Sequence, residues 1–141
     1  MATVRQLSDL PGWAQALLDD TRVAHLGLLD EQGAPRVQPI TFARVGETLV
    51  SAIDDKPKRR TPARLARLRS DPRATVTVDR YDDDWTKLAW VQVLATATIR
   101  DLDPTSLAAL QRRYPVYRAT PPPGPLINFR PVRILCWRAS E

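Results

Sequence analysis

The sequence is poor in the residues that build metal centres and disulfide bonds. Its 141 residues include one cysteine, Cys136, and one histidine, His25. A single cysteine excludes an intramolecular disulfide and a multi-cysteine metal site, and a single histidine excludes a pair of histidine ligands within one subunit. Cys136 lies in the apolar run 134–137, so we expect it to pack in the core as a small apolar residue. No metal site is predicted.

Long apolar segments are also missing. No run of apolar residues approaches the roughly 20 that a membrane-spanning helix needs, and the N-terminus lacks the apolar centre of a secretory signal peptide. We therefore expect a cytoplasmic protein with no membrane partner. The composition is that of an ordinary globular protein, with 43% hydrophobic and 26% charged residues. The length predicts one domain, residues 1–141.

The common catalytic motifs are absent as well. The sequence has no Gly-rich dinucleotide fingerprint, no Walker loop and no G-x-S-x-G turn. His25 lies in the middle of a predicted strand, where we interpret it as structural. The run Asp82-Asp83-Asp84 lacks the spacing of a calcium-binding loop and is interpreted as a solvated acidic loop. No catalytic residue is predicted.

A cluster of cations is the feature that the sequence does have. Residues 56–69 include seven basic side chains and no acidic one. Four of them lie in a turn before a predicted helix: Lys56, Lys58, Arg59 and Arg60. Cations that converge near a helix N-terminus favour phosphate, which indicates a phosphorylated cofactor. A solvated basic face and polyanion binding are the alternatives, but the cluster lacks the interleaved aromatic residues of single-strand nucleic-acid binders.

Hydrophobic periodicity predicts six or seven antiparallel strands and three short helices. The predicted strands cover 22–30, 36–43, 48–53, 74–80, 88–100, 126–129 and 132–138, and the predicted helices cover 13–20, 62–70 and 103–114. The first three strands, joined by Gly-containing turns, are expected to form a meander. So many strands in a small domain tend to curl and close. The predicted fold class is α+β, a small antiparallel barrel of about six strands with short helices.

Three further segments are candidates for a ligand site beside the cations. Pro39 interrupts the second predicted strand and removes a backbone donor, which marks an edge strand or a bulge. Small side chains and backbone amides precede the basic turn at Ser51, Ala52 and Ile53. Trp85 and Trp90 flank the start of the longest strand, where planar rings could cover a flat ligand. Core or dimer-interface positions are the alternative interpretation of these tryptophans.

The order of these elements resembles the split β-barrel family, the flavin-binding fold typified by pyridoxamine 5'-phosphate oxidase. Four segments carry the resemblance: AHLGLLDEQGAPRVQPITFA at 24–43, TLVSAIDDKPKR at 48–59, RLARLRSDPRATVTVD at 64–79 and RPVRILCW at 130–137. The sequence is more similar to the actinobacterial branch of probable coenzyme F420-dependent enzymes. The resemblance extends over residues 17–138.

The resemblance implies a homodimer with cofactor sites at the subunit interface. The cofactor would be F420, an 8-hydroxy-5-deazaflavin with a phosphate and an oligoglutamate tail, which would carry a hydride to a small conjugated substrate. The residues implied to line its ring and ribityl chain are Gln38, Pro39, Thr41, Ser51, Ala52 and Ile53. Those implied to hold the phosphate are Lys56, Lys58 and Arg59 or Arg60. The second subunit would contribute aromatic or basic side chains, with Trp85 and Trp90 as the candidates.

Several alternatives to F420 stay open at this stage. The basic turn does not reproduce the Arg, Ser and Lys pattern with which pyridoxamine-phosphate oxidases hold the FMN phosphate. FMN on the same fold is therefore the nearest alternative rather than the first expectation. A non-catalytic cofactor-binding protein and a nucleic-acid-binding protein are the alternatives from other functional classes.

Overall fold

The structure is a computed structural model that describes residues 1–54 and 62–140. Within these ranges the chain forms eight strands and four α-helices around one antiparallel sheet. The strands are β1 (Ala2–Val4), β2 (Ala24–Leu29), β3 (Pro35–Ile40), β4 (Ala43–Val45), β5 (Thr48–Ala52), β6 (Arg73–Arg80), β7 (Ala89–Arg100) and β8 (Leu126–Arg138). The helices are α1 (Gly12–Asp20), α2 (Ala63–Ser70), α3 (Pro104–Arg113) and α4 (Pro115–Ala119). The predicted α+β class is confirmed.

Strand β8 organises the sheet because it pairs on both of its sides. The strand order is β3-β2-β6-β7-β8-β5-β4, and β1 also pairs with β8. One side of β8 follows β7 from Leu126 to Arg138, while its other side pairs with β5 in its first half and with β1 in its second half. The prediction of two separate strands here is wrong. A bulge at Val132 accommodates Pro131, which has no backbone donor, and lets one strand continue.

The predicted three-strand meander is also wrong. Strand β3 ends at Ile40, and the chain starts a new strand, β4, at Ala43. Strand β3 lies at one end of the sheet order, as Pro39 had indicated, whereas the β4–β5 hairpin lies at the other end. The physical reason is Phe42, which is fully buried and whose backbone N–H donates to the Tyr114 hydroxyl instead of to a strand.

Two apolar cores hold the sheet and the helices together. In the larger core, α1 and α2 cover the face of β2, β6, β7 and β8 on which alternate side chains are buried, as the periodicity predicted. Cys136 is buried in this core, which confirms its predicted role. In the smaller core, α3 and α4 pack against β4, β5 and the start of β8. No helix in the described part of the chain is long and apolar enough to cross a membrane.

Candidate functional site

A groove of about 210 Å³ lies where β3 ends, β5 ends and α2 begins. This candidate groove is lined by Val23, Pro39, Ile40, Thr41, Ser51, Ala52, Asp54 and Arg64. Four of the eight lining residues, Pro39, Thr41, Ser51 and Ala52, were predicted from the sequence. The groove therefore brings together two predicted segments that are separated by a hairpin.

Pairing with β8 fixes the end of β5 beside the groove. Ser51 and Ala52 are register partners of Ile127 and Leu126 at the start of β8. Just after β5, the Ile53 N–H donates to the Pro125 carbonyl at 3.0 Å, and the Ile53 carbonyl accepts from the Gly124 N–H at 3.1 Å. The Ile53 side chain consequently packs in the larger core. Its backbone, and not its side chain, lies beside the groove.

The basic turn follows the groove directly in the chain. Asp54 and Arg64, which line the groove, stand on either side of it. The predicted phosphate residues Lys56, Lys58, Arg59 and Arg60 lie outside the described residues.

A hydrogen-bond network behind the groove connects Thr41, Tyr117 and Asp54. The Thr41 Oγ1 and Tyr117 Oη atoms are 2.7 Å apart, and the Tyr117 hydroxyl donates to Asp54 Oδ2 at 3.2 Å. Burial raises the pKa of the Tyr117 phenol, and the hydrogen bond from Thr41 offsets part of that increase. The phenol therefore keeps its proton near neutral pH. Sequence reasoning missed Tyr117, for which the available signal was a second tyrosine three residues after Tyr114.

Tyr114 holds the backbone that presents Thr41 to the groove. Its buried hydroxyl accepts from the Phe42 N–H at 3.0 Å and lies 2.7 Å from the Arg22 carbonyl oxygen, to which it donates. The rings of Tyr114 and Tyr117 meet edge to face, with centroids 5.5 Å apart. The two tyrosines thus tie the chain after β3 and the chain before β2 to the end of α3 and to α4.

Arg64 is the cation that the structure brings to the groove. It is the second residue of α2, and its Nε atom is buried with no hydrogen-bond partner among the described residues. Burial lowers the pKa of its guanidinium, and the nearby Asp54 carboxylate acts in the opposite direction. An arginine stays protonated in a protein. A buried donor without a partner calls for an explanation, and a ligand group in the groove would supply one.

The remaining predicted site residues do not line the groove within one chain. Gln38 lies on β3 with its Nε2 atom buried and without a partner in the described ranges. Trp85 is 67% exposed in a single turn of 3-10 helix before β7. Trp90 is half-buried on β7, opposite Asp79 on β6 and Trp137 on β8. Both tryptophans therefore lie away from the groove of their own chain.

The face of the sheet opposite the larger core carries two wide, open grooves. We call this the outer face; its grooves measure about 530 and 740 Å³ and share Gly27, Val37 and Thr75. Val37 is 70% exposed and Val132 is 55% exposed. Exposed apolar side chains on a continuous surface are typical of an interaction site. The outer face meets the candidate groove at Pro39, a groove-lining residue paired in register with His25.

The acidic run 82–84 and the lone histidine have other environments. Asp82 and Asp84 form a turn, in which Asp82 accepts from the Asp84 N–H at 2.8 Å and Asp84 accepts from the Thr86 hydroxyl at 2.7 Å. That hydroxyl is the main cause of the lowered pKa of Asp84. His25 is exposed on the outer face. Across residues 1–54 and 62–140, no three His, Cys, Asp or Glu side chains are grouped to hold a metal ion.

The chain matches one protein family, and its fold is similar to those of several solved structures. The family described as pyridoxamine 5'-phosphate oxidase matches residues 10–138. A heme binding protein from Mycobacterium smegmatis has a similar structure, with a TM-score of 0.72, 19% identity and coverage of 90% of this chain and 52% of that one. An F420 reductase has a similar structure, with a TM-score of 0.64, 22% identity and coverage of 89% of this chain and 98% of that one. A FAD-binding protein from Mesorhizobium loti has a TM-score of 0.61 and 18% identity, with coverage of 96% of this chain and 97% of that one.

The similarities to solved structures establish the split β-barrel fold. At sequence identities of 18–22% they establish the fold alone. The chain spans about half the length of the Mycobacterium smegmatis protein. No curated protein sequence matches the chain.

Proposed function

Because this chain belongs to the pyridoxamine 5'-phosphate oxidase family, we propose that it is a homodimeric oxidoreductase that uses coenzyme F420. In this proposal the reduced deazaflavin supplies a hydride to a small conjugated organic substrate. The observation that carries the proposal is the candidate groove, which is lined by Arg64 and by the oxygens of Thr41, Ser51 and Asp54. Asp54 and Arg64 flank the basic segment in the sequence.

The residues of the groove fit the parts of a deazaflavin cofactor. Arg64 has a buried donor that no described residue pairs with, and it could bind an anionic or carbonyl group. The basic segment 56–60 would add four cations for the phosphate. Thr41 and Ser51 supply oxygens that can accept from the ring or from the hydroxyl chain. The chain would then bind and orient the cofactor and exclude water from it. No acid–base pair is needed for that role.

A second copy of the chain would complete the site. Pockets that enclose a ligand usually measure about 300–1,000 Å³, whereas the candidate groove measures about 210 Å³. The outer face adjoins the groove at Pro39 and has exposed apolar side chains at Val37 and Val132. We propose that a second copy covers this face about a twofold axis. Trp85 or Trp90 of the partner subunit would then cover the cofactor ring.

Parallel binding titrations with F420 and FMN test the cofactor assignment. We expect F420 to bind at least tenfold more tightly than FMN, with a change in the deazaflavin spectrum on binding. Oxidation of reduced F420 would next be measured against a panel of enones and quinones. Tighter binding of FMN would move the assignment to a flavin enzyme on the same fold. Binding of F420 without turnover on any acceptor would support a cofactor carrier instead.

Haem binding is the second candidate function. The observation that favours it is His25, the only histidine, which is exposed and lines the outer groove of about 740 Å³. Histidine is the commonest protein ligand of haem iron. Hemin titration of the parent and of His25→Gln distinguishes the two candidates. A Soret shift in the parent that is lost in His25→Gln would favour haem over F420.

A further inference from the structure

We infer that Tyr117 fixes the Thr41 hydroxyl as a hydrogen-bond acceptor toward the candidate groove, so that the groove selects a ligand edge with N–H or O–H donors. Tyr117 does not line the groove and would act through Thr41, which makes it a positioning residue. The inference rests on the proposed function for the identity of the ligand, a deazaflavin, but not for the direction of the hydrogen bonds.

The direction follows from the number of protons in the network. The Tyr117 hydroxyl has one proton, which it donates to Asp54 Oδ2. The Tyr117 and Asp54 oxygens are 3.2 Å apart, so the phenol proton must lie between them; otherwise two lone pairs would face each other. Thr41 Oγ1 lies 2.7 Å from the same phenol oxygen. Thr41 must therefore donate its only hydroxyl proton to Tyr117.

Ser51 is constrained in the same way. Its hydroxyl donates to the Thr41 carbonyl at 2.7 Å, and its side chain is almost fully buried. Ser51 and Thr41 each donate their single hydroxyl proton to another protein atom. Each hydroxyl oxygen can therefore only accept a hydrogen bond from a ligand in the groove. The Asp54 carboxylate, which accepts from Tyr117, is a third oxygen group on the groove lining. The donor among the lining side chains is Arg64.

This arrangement defines the chemistry of the ligand that fits. One part must carry an N–H or O–H donor that faces Thr41 and Ser51, and another part must carry an anion or a carbonyl that faces Arg64. A deazaflavin has two sources of donors, the imide N–H of its ring and the hydroxyls of its side chain. Sites built to pair with a ligand donor reject analogues that lack it by large factors, because their own buried groups are left unpaired.

The first experiment needs no ligand and measures the direction of the Thr41–Tyr117 bond. The Tyr117 pKa is followed by ¹³Cζ NMR in the parent, Thr41→Val and Thr41→Ser, with Tyr117→Phe to assign the resonance. If Thr41 donates, its loss in Thr41→Val destabilises the phenolate and raises the Tyr117 pKa, whereas Thr41→Ser restores the parent value. A Tyr117 pKa that falls in Thr41→Val would overturn the inference. Thr41→Ala serves the same purpose if the valine variant does not fold.

The second experiment identifies the ligand edge. The probes are 5-deaza-FMN, its N3-methyl derivative and a derivative without the side-chain hydroxyls. These two derivatives are the donor-blocked probes, and at least one of them should bind the parent roughly tenfold more weakly than 5-deaza-FMN. This ratio should be smaller in Tyr117→Phe, in which the Thr41 hydroxyl is free to turn and only Ser51 remains a fixed acceptor, whereas a purely steric penalty would persist unchanged. Tyr81→Phe, the same change at an exposed tyrosine, should keep the parent ratio.

The outcomes separate the two proposals. If both donor-blocked probes bind the parent as tightly as 5-deaza-FMN does, the selection of a donor edge is wrong. If no deazaflavin binds at all while Thr41→Val raises the Tyr117 pKa, the proposed function fails and the hydrogen-bond direction stands.

Discussion

The Ser51 hydroxyl donates to the backbone carbonyl of Thr41 at 2.7 Å, just beyond the end of the β4–β5 ladder, in which Ala43 pairs with Val50. Ser51 belongs to β5 and Thr41 follows β3, and these strands are far apart in the order of the sheet. The bond spans ten positions of sequence and joins two residues that line the candidate groove. It extends the β4–β5 pairing to the groove, so a side chain and the hairpin together set the distance between the two walls.

Replacing Ser51 with alanine should destabilise the protein. The Thr41 carbonyl would lose its buried donor, which typically costs about 1–3 kcal/mol. Urea unfolding of Ser51→Ala should show this loss, with an unchanged dependence on denaturant concentration. Ser70→Ala, at an exposed serine in α2, is the matched control and should stay within about 0.5 kcal/mol of the parent. Equal stability of Ser51→Ala and the parent would contradict the structural role assigned to this bond.

Lys56→Ala and Lys58→Ala should each weaken the binding of F420. A charge-assisted hydrogen bond to the phosphate is worth about 1.5–3 kcal/mol, which corresponds to roughly ten- to a hundredfold in affinity. Arg69→Ala is the control, because Arg69 is exposed in α2, whereas Arg67 already donates to Glu31 at 3.3 Å.

Two further measurements separate a phosphate contact from general positive charge. The deazaflavin chromophore without phosphate and tail should bind both lysine variants as it binds the parent. The melting temperature of the free protein should change little in either variant. Losses in Arg69→Ala as large as those in Lys56→Ala would exclude a specific phosphate contact.

Val37→Glu should dissociate the proposed dimer. Val37 is 70% exposed at the centre of the outer face, where a second copy would bury the new carboxylate without a partner. Sedimentation equilibrium should show a dissociation constant that is raised by roughly a hundredfold or more. Val116→Glu introduces the same charge at an exposed position of α4 and should leave the dimer intact. A stable parent monomer at micromolar concentration would refute the dimer and the shared site.

Asp103 should make α3 sensitive to acid. Its carboxylate accepts from the Ser106 N–H and the Ser106 hydroxyl, both at 2.8 Å, and these bonds lower the pKa of Asp103. Because the folded pKa lies below the unfolded one, this stabilisation is complete above the unfolded pKa. It is lost as the pH falls through the folded pKa.

The Asp103 prediction is checked by unfolding Asp103→Ala and Asp103→Asn between pH 7 and pH 3. Alanine removes the helix cap and should cost about 1 kcal/mol at pH 7. Asparagine keeps a capping oxygen but does not titrate, so its stability should approach that of the parent as the pH falls. A constant difference between the parent and Asp103→Asn over this range would contradict the assigned cause.

The parts of the fold that were predictable are those in which side chains alternate. Strand β7 was predicted because Val91, Val93, Ala95 and Ala97 repeat with the period of a strand over a long segment. Strand β1 has three residues and helix α4 has five, so both are too short for a hydrophobic period to be detected in the sequence. The break after Ile40 was missed because its cause, the bond from Phe42 to Tyr114, joins residues 72 positions apart.

The candidate site was predictable to the same limited extent. Pro39, Thr41, Ser51 and Ala52 were identified because they lie in two continuous segments beside the basic turn. Tyr117 reaches Thr41 across 76 positions, and no local pattern reports such a contact. Arg64 was counted among the cations of α2, but only the packing of α2 against the sheet shows that its Nε is buried. Distant contacts of this kind depend on the tertiary fold.

Tyr117 belongs to the five-residue helix α4, which lies outside the sheet. Replacing a side chain of α4 would change which hydrogen bonds the groove offers, while every strand pairing stays as it is. A substitution in α4 would therefore change the ligand preference of the groove while the strand order of the barrel is retained. Solved structures of this fold have names that refer to F420, FAD and heme, so the fold by itself does not determine the ligand.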